Sequence, residues 1–119
     1  MNKRVGFSDY DFIVKPTGSS QVCRYKECTL GNLLSDAIRD AGNGEITLTN
    51  GGAVRANMLK GNLTKANLIE VSPFFDNIVV KELPGQVILD ALEFGQAKLP
   101  NVAGGYPQVS GITFDVYKC

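Results

Sequence analysis

Histidine is absent from the 119 residues. That removes the commonest general base at neutral pH and the commonest transition-metal ligand, so a self-contained metallo-enzyme or histidine-dependent enzyme is hard to compose from this chain. An excess of charge is missing as well: twelve Lys and Arg balance twelve Asp and Glu. With no basic run either, a nucleic-acid polymer is not an expected partner. No apolar run approaches the roughly 20 residues of a membrane span. The start, Met1 to Phe7, carries charge without an apolar segment behind it, and so does not read as a signal peptide. Cysteine is scarce. Cys23 and Cys28 stand too far apart for a CxxC redox pair and lack the second pair that zinc would need. They are either a small disulfide loop, which would imply an oxidising compartment, or two free thiols. Cys119 has no evident partner, and the last β-type segment stops without a turn; both lead us to expect a chain cut from a longer one.

What is present fits one domain at most. A chain of this length can bury about two-thirds of its unfolded surface. Residues 5–15 are rich in strand formers, with an entering strand expected near Asp11–Lys15 and a loop at Pro16–Ser20. Leu30, Leu33, Leu34, Ala37, Ile38 and Ala41 recur at the spacing of one helical face, between Thr29 as N-cap and Gly42 as stop. The predicted helix spans 30–41, with Asn32, Asp36, Arg39 and Asp40 on a solvated outer face. A strand is expected at Glu45–Thr49, a loop at Asn50–Arg55 and a turn at Gly61–Lys65. Thr64 is placed to cap a short helix at Lys65–Val71, which Pro73 ends. Ile78–Leu83 reads as a strand. Pro84 suits the first turn of a helix over 85–98, with Val87, Ile88, Ala91 and Leu92 as its buried stripe. Tyr106–Val109 and Gly111–Tyr117 read as two β segments. Helices and strands alternate, so the fold class is α/β (α+β): a mixed sheet flanked by helices, incomplete at its C-terminal end. Where the last β segment stops abruptly, an exposed sheet edge and a tendency to self-associate are expected.

No catalytic centre emerges. Asp36 and Asp40 share a helical face without a third ligand, Asp90 and Glu93 do the same, and Ser19, Ser20 and Ser110 have no histidine to activate them. Binding is better served. Gly51-Gly52 can turn sharply and bring the backbone close to a ligand. Asn50 offers a donor and an acceptor together, and Arg55 a planar charged fork. Phe74 and Phe75 follow Ser72-Pro73, where a ring could lie on a planar ligand, although core burial is the commoner fate of such a pair. Taken alone, Arg24 is an ordinary exposed arginine.

These segments, in their order and spacing, resemble the C-terminal domain of the 5′-nucleotidases. The resemblance is carried by Cys23-Arg24-Tyr25-Lys26-Glu27-Cys28, Leu30-Gly31-Asn32-Leu33-Leu34, Asp36-Ala37, Asn50-Gly51-Gly52-Ala53-Val54-Arg55, Gly61-Asn62-Leu63-Thr64, Pro73-Phe74, Leu83-Pro84-Gly85 and Gln108-Val109-Ser110-Gly111. The paired-cysteine pattern points to the animal ecto-5′-nucleotidase-like and apyrase branch, and with it to a Cys23–Cys28 disulfide. The resemblance implies a recognition domain at 19–119, only partly present, behind a lead-in at 1–18. Nucleoside 5′-monophosphate or nucleoside would be its ligand. Phe74 would stack on the base, Asn50 would hydrogen-bond it, Gly52 would contact the ligand through its backbone, and Arg24 and Arg55 would reach the ribose and phosphate side. Catalysis would belong to a metallophosphoesterase domain outside these residues, holding two divalent, zinc-like metals. The whole would be extracellular or at the cell surface, for which Asn62-Leu63-Thr64 is a compatible glycosylation sequon. The family's second stacking aromatic, in an Asn-Gly-Gly-Asp-Gly-Phe motif, does not occur here. Ala53 replaces the third glycine often found after Asn50, and Pro84 stands where the family commonly has another residue. The alternative is a stand-alone, non-catalytic nucleoside-binding or protein-interaction module.

Overall fold

The computed structural model describes residues 2–15 and 21–117; the expected loop at Pro16–Ser20, the 18/19 domain boundary and any partner of Cys119 lie outside them. Helices and strands are mixed along the chain, with the strands in two small antiparallel pairs, an α+β arrangement. The strands are β1 (Arg4–Ser8), β2 (Thr47–Asn50), β3 (Gly61–Thr64) and β4 (Pro107–Ser110). The helices are α1 (Thr29–Gly42), α2 (Lys65–Val71) and α3 (Gly85–Gly95). β1 pairs antiparallel with β3, from Arg4 opposite Thr64 to Ser8 opposite Gly61, with an irregularity between Arg4 and Gly6. β2 pairs antiparallel with β4, from Thr47 opposite Ser110 to Asn50 opposite Pro107.

α2 occupies the expected residues because its start is chemically marked. The Thr64 hydroxyl accepts from the Asn67 N–H, and the Asn67 side chain accepts in turn from the Thr64 N–H, a reciprocal capping box. α1 starts one residue earlier than expected. Cys28, not Thr29, holds the extended cap conformation, and its sulfur accepts from the Gly31 N–H at 3.1 Å. The helix ends on Asn43, which adopts the left-handed conformation (φ 51°) expected here of a glycine. Its buried face is rotated as well. Leu30, Gly31 and Ser35 are buried, whereas Leu33, Ala37 and Ala41 are exposed. At Gly31 the Gln108 side chain and Cys28 Sγ come too close to admit a Cβ. On the supposedly solvated face, Asp36 accepts a hydrogen bond from the Ser110 hydroxyl.

Five expected elements are corrected. The entering strand at Asp11–Lys15 reduces to a single bridge, Phe12 to Met58, while the Val14 and Lys15 N–H groups both donate to Asn57 Oδ1. The turn at Gly61–Lys65 is mostly strand, because β1 supplies its ladder. Ile78–Leu83 and Gly111–Tyr117 form no strand. Both have strand-forming side chains, yet among the described residues neither finds a neighbouring strand to complete a hydrogen-bond ladder. Only Leu92 of the expected α3 stripe is buried; Val87 and Ala91 are exposed, and the helix ends at Gly95 rather than Lys98.

The core gathers Val14, Cys23, Cys28, Leu30, Val54, Met58 and Val71, with Phe12, Val22, Leu34 and Leu63 packed around it. Each aliphatic side chain buried there is worth about 1.5–3 kcal/mol. Cys23 and Cys28 form a disulfide inside this cluster, their Cα atoms 5.1 Å apart. The cluster therefore ties the cysteine loop to the segment after Gly51-Gly52. The tie has a steric signature: a Cβ on Gly51 would lie 1.7 Å from the Cys23 carbonyl oxygen. That atom is backbone and cannot swing aside. Gly51→Ala is expected to lower unfolding stability by about 3 kcal/mol in a denaturant titration. A change within about 0.5 kcal/mol would show that the two loops do not touch.

Candidate functional site

The site is built where three loops cross. β2 ends at Asn50 and the chain turns through a single 3₁₀ turn at Gly51–Ala53. Both glycines are buried there. Gly51 N–H donates to the Tyr106 carbonyl at 2.7 Å, and Gly52 N–H to the Gly104 carbonyl at 2.9 Å. The Asn50 side-chain amide donates to the same Gly104 oxygen at 3.1 Å. From the other side, Ala103 N–H donates to the Arg24 carbonyl at 2.9 Å. The segment 103–106 thus clamps two of the expected recognition loops together through four hydrogen bonds.

This arrangement decides what each residue has left to offer. The Gly52 N–H is engaged within the fold, so Gly52 contributes close approach rather than a donor. Asn50 keeps its carbonyl oxygen, Oδ1, which accepts no hydrogen bond among the described residues. Arg24 is half-buried, and its Nε donates to Gln21 Oε1 at 3.3 Å. One of its terminal nitrogens lies 3.5 Å from where a side chain on Gly104 would begin.

Arg55 and Phe74 form the other end. The Arg55 N–H donates to the Val71 carbonyl at 2.8 Å, which ties the loop to the end of α2. Beyond α2, after Pro73, Phe74 lies with its ring centroid 5.9 Å from the Arg55 guanidinium carbon, within cation–π range. Phe74 is 51% exposed and Phe75 is 76% exposed. Neither is core, against the commoner expectation for such a pair. Phe75 is held at φ +54°, a left-handed conformation that is rare for a bulky side chain. Strain of this kind costs on the order of 1–3 kcal/mol and concentrates at ligand-binding segments.

The structure therefore joins Arg24, through Ala103, to Asn50 and Gly52, through Gly104, at one end of the loop, and Arg55 with Phe74 at the other. A cleft of about 270 Å³ runs beside Leu48, Thr49 and Asn50, closed by Ala91, Leu92, Gly105 and Pro107. Of the five expected residues, Asn50 alone lines it. Two participants went unread in the sequence. Gly104 receives two hydrogen bonds at the crossing, and the Gly104-Gly105 pair was the signal available for it. Gln108 is buried and bonded to the cysteine loop; a lone glutamine at a strand position gives no such signal. Nearby, burial and, secondarily, the Glu27 carboxylate push the Tyr106 phenol above its ordinary range. Among the described residues, no group of three or more His, Cys, Asp or Glu could hold a metal ion. With no histidine in the sequence, a two-metal phosphoesterase centre does not fit the residues present.

The family model described as 5′-nucleotidase, C-terminal domain, matches residues 4–118. The trifunctional nucleotide phosphoesterase protein YfkN of Bacillus subtilis (strain 168) is 36% identical over 117 residues, covering 95% of this chain and 8% of that protein. Human 5′-nucleotidase is 31% identical over 113 residues, covering 84% of this chain and 20% of that protein. Among solved structures, a 5′-nucleotidase precursor from Thermus thermophilus superimposes with a TM-score of 0.81 at 36% identity, over 92% of this chain and 21% of that one. The chain belongs to the 5′-nucleotidase C-terminal domain family. It spans no more than 21% of the length of these three relatives.

Proposed function

We propose that this chain is the nucleotide-recognition part of a 5′-nucleotidase-type phosphohydrolase that converts nucleoside 5′-phosphates, of the AMP type, to nucleosides. The observation that carries the reading is the Arg55–Phe74 pair, held at 5.9 Å on an exposed ring beside the Gly51-Gly52 crossing. A half-exposed aromatic face next to a guanidinium suits a ligand that is flat at one end and anionic at the other. Phe74 stacks on the base, and Asn50 Oδ1 accepts a hydrogen bond from it. Arg24 and Arg55 serve the ribose and phosphate side, and Gly52 lets the ligand come close. Residues 19–119 form this recognition domain, with 1–18 as a lead-in whose strand β1 packs back onto β3. The hydrolytic chemistry belongs to a metallophosphoesterase domain in the same protein, where two divalent metals would be held by residues outside this chain. A disulfide inside the core and the Asn62-Leu63-Thr64 sequon favour an extracellular or cell-surface setting.

Calorimetric titration of the 119-residue chain with AMP tests this. Phe74→Ala and Arg55→Ala should each weaken binding, Phe74→Ala by roughly 1–3 kcal/mol for the lost stacking. Binding that both variants leave unchanged, or no binding by the wild type, would contradict the reading.

A second reading, a protein-interaction module, is favoured by one observation. Phe75, Val79, Val80 and Leu89 are more than half exposed, along a stretch whose extended segment has no ladder partner among the described residues. Exposed apolar surface next to unpaired backbone promotes association. Sedimentation velocity should show a weight-average mass that rises with concentration. A sharp monomer boundary at every concentration would remove the self-association reading.

A further inference from the structure

The resemblance to the family directs attention to Arg24, whose own bonds, to Gln21 Oε1 and from the Ala103 N–H, leave the rest of its loop to be held by other groups. It sits on a loop closed by the Cys23–Cys28 disulfide, which fixes the ends of the loop but not its interior. Gln108 braces the backbone at both ends of the loop and, through the Lys26 carbonyl, its interior. This glutamine is 2% exposed. Its Nε2 donates to the Cys23 carbonyl at 3.0 Å and to the Lys26 carbonyl at 2.9 Å, and its Oε1 accepts from the Cys28 N–H at 3.3 Å. A primary amide has two donor hydrogens and one acceptor oxygen, and here both donors and the oxygen are used. All three bonds go to the six-residue loop that carries Arg24. The fold leaves space for this carboxamide: a Cβ on Gly31 would come 2.6 Å from Gln108 Oε1 and 2.7 Å from Cys28 Sγ.

The backbone of Gln108 points the other way in function. In the β2–β4 ladder it lies opposite Thr49, and its neighbour Pro107 lies opposite Asn50. One residue therefore fixes the strand that delivers Asn50 and, through its side chain, the loop that delivers Arg24. Such a buried, fully bonded amide is costly to disturb, because each group left unsatisfied loses its partner without regaining water.

We infer that Gln108 is a positioning residue for nucleotide recognition, coupling Arg24 to the Asn50 side of the site. The inference rests on the nucleotide reading above and deepens it, adding a residue that touches no ligand and acts through Arg24. A residue that acts through another has a non-additive effect with it.

The test is a double-mutant cycle read by AMP titration of the 119-residue chain. It uses Gln108→Glu, which keeps the shape but replaces the two donated bonds with repulsion, and Gln108→Met, which removes all three bonds at similar volume. Each is made with Arg24 present and in an Arg24→Ala background, and thermal unfolding reports whether each variant is folded. With Arg24 present, the folded Gln108 variants should weaken AMP binding by about tenfold; with Arg24→Ala, by less than about twofold further. Equal losses in both backgrounds would make Gln108 a general structural residue and overturn the inference. So would failure of both Gln108 variants to fold, or unchanged AMP binding in the single variants. A wild-type chain that binds no AMP overturns the nucleotide reading itself, and this inference with it. That outcome is distinct from the others, since it is seen before any variant is made.

Discussion

Everything that resembles a binding site in this protein depends on one close approach. The backbone at Gly51 passes so near the Cys23 carbonyl that no side chain fits between them. From that contact follow the positions of the cysteine loop, of the Asn50–Arg55 loop and of the 103–106 segment that bonds to both. The approach is maintained by backbone hydrogen bonds at 2.7 and 2.9 Å and by a buried apolar cluster that includes Cys23, Cys28 and Val54. Burial and polar satisfaction support each other here. The loops are close because their apolar side chains share a core, and their backbone groups can be buried because they bond to one another.

The rest of the molecule is organised less tightly, in a way that bears on function. Phe74, Phe75 and the extended segment after them carry strand-forming side chains but make no ladder among the described residues, and α3 buries only Leu92. A rigid crossing thus stands beside an apolar, weakly anchored flank. The Arg55–Phe74 pair is the joint between the two. One partner follows a buried turn, and the other follows the end of α2 and carries a half-exposed ring within cation–π range of the first.

Much of this was legible in the sequence, and for identifiable reasons. The α/β class and α2 follow from periodicity, and Thr64 with Asn67 marks the start of α2 chemically. The grouping of Arg24 with Asn50 came from the resemblance rather than from residue chemistry, since they stand far apart in the chain and only tertiary contact brings them together. The errors share a cause. Ile78–Leu83 and Gly111–Tyr117 have strand propensity, but a strand also needs a neighbour, and propensity does not say whether one is there. The leucine stripe of α1 promised one buried face; Leu30 is buried and Leu34 packs on the core, but Leu33 is exposed while Gly31 and Ser35 are buried, Gly31 where the Gln108 side chain leaves no room for a Cβ. Gln108 was read as part of the segment 108–111 that carries the resemblance, but its place at the site was not, because a buried glutamine is recognised by its partners, and these lie 80 or more residues away.

The central claim is that Arg24, the Asn50–Arg55 loop and Phe74 form a single nucleotide-binding surface on this domain. An amide chemical-shift titration of the isotopically labelled 119-residue chain with AMP tests it most directly. The account predicts that the signals of Arg24, Asn50 to Arg55, Phe74 and Gly104 shift together, with one common dissociation constant. Shifts confined to β1 and β3, or a spectrum that AMP leaves unchanged, would contradict it.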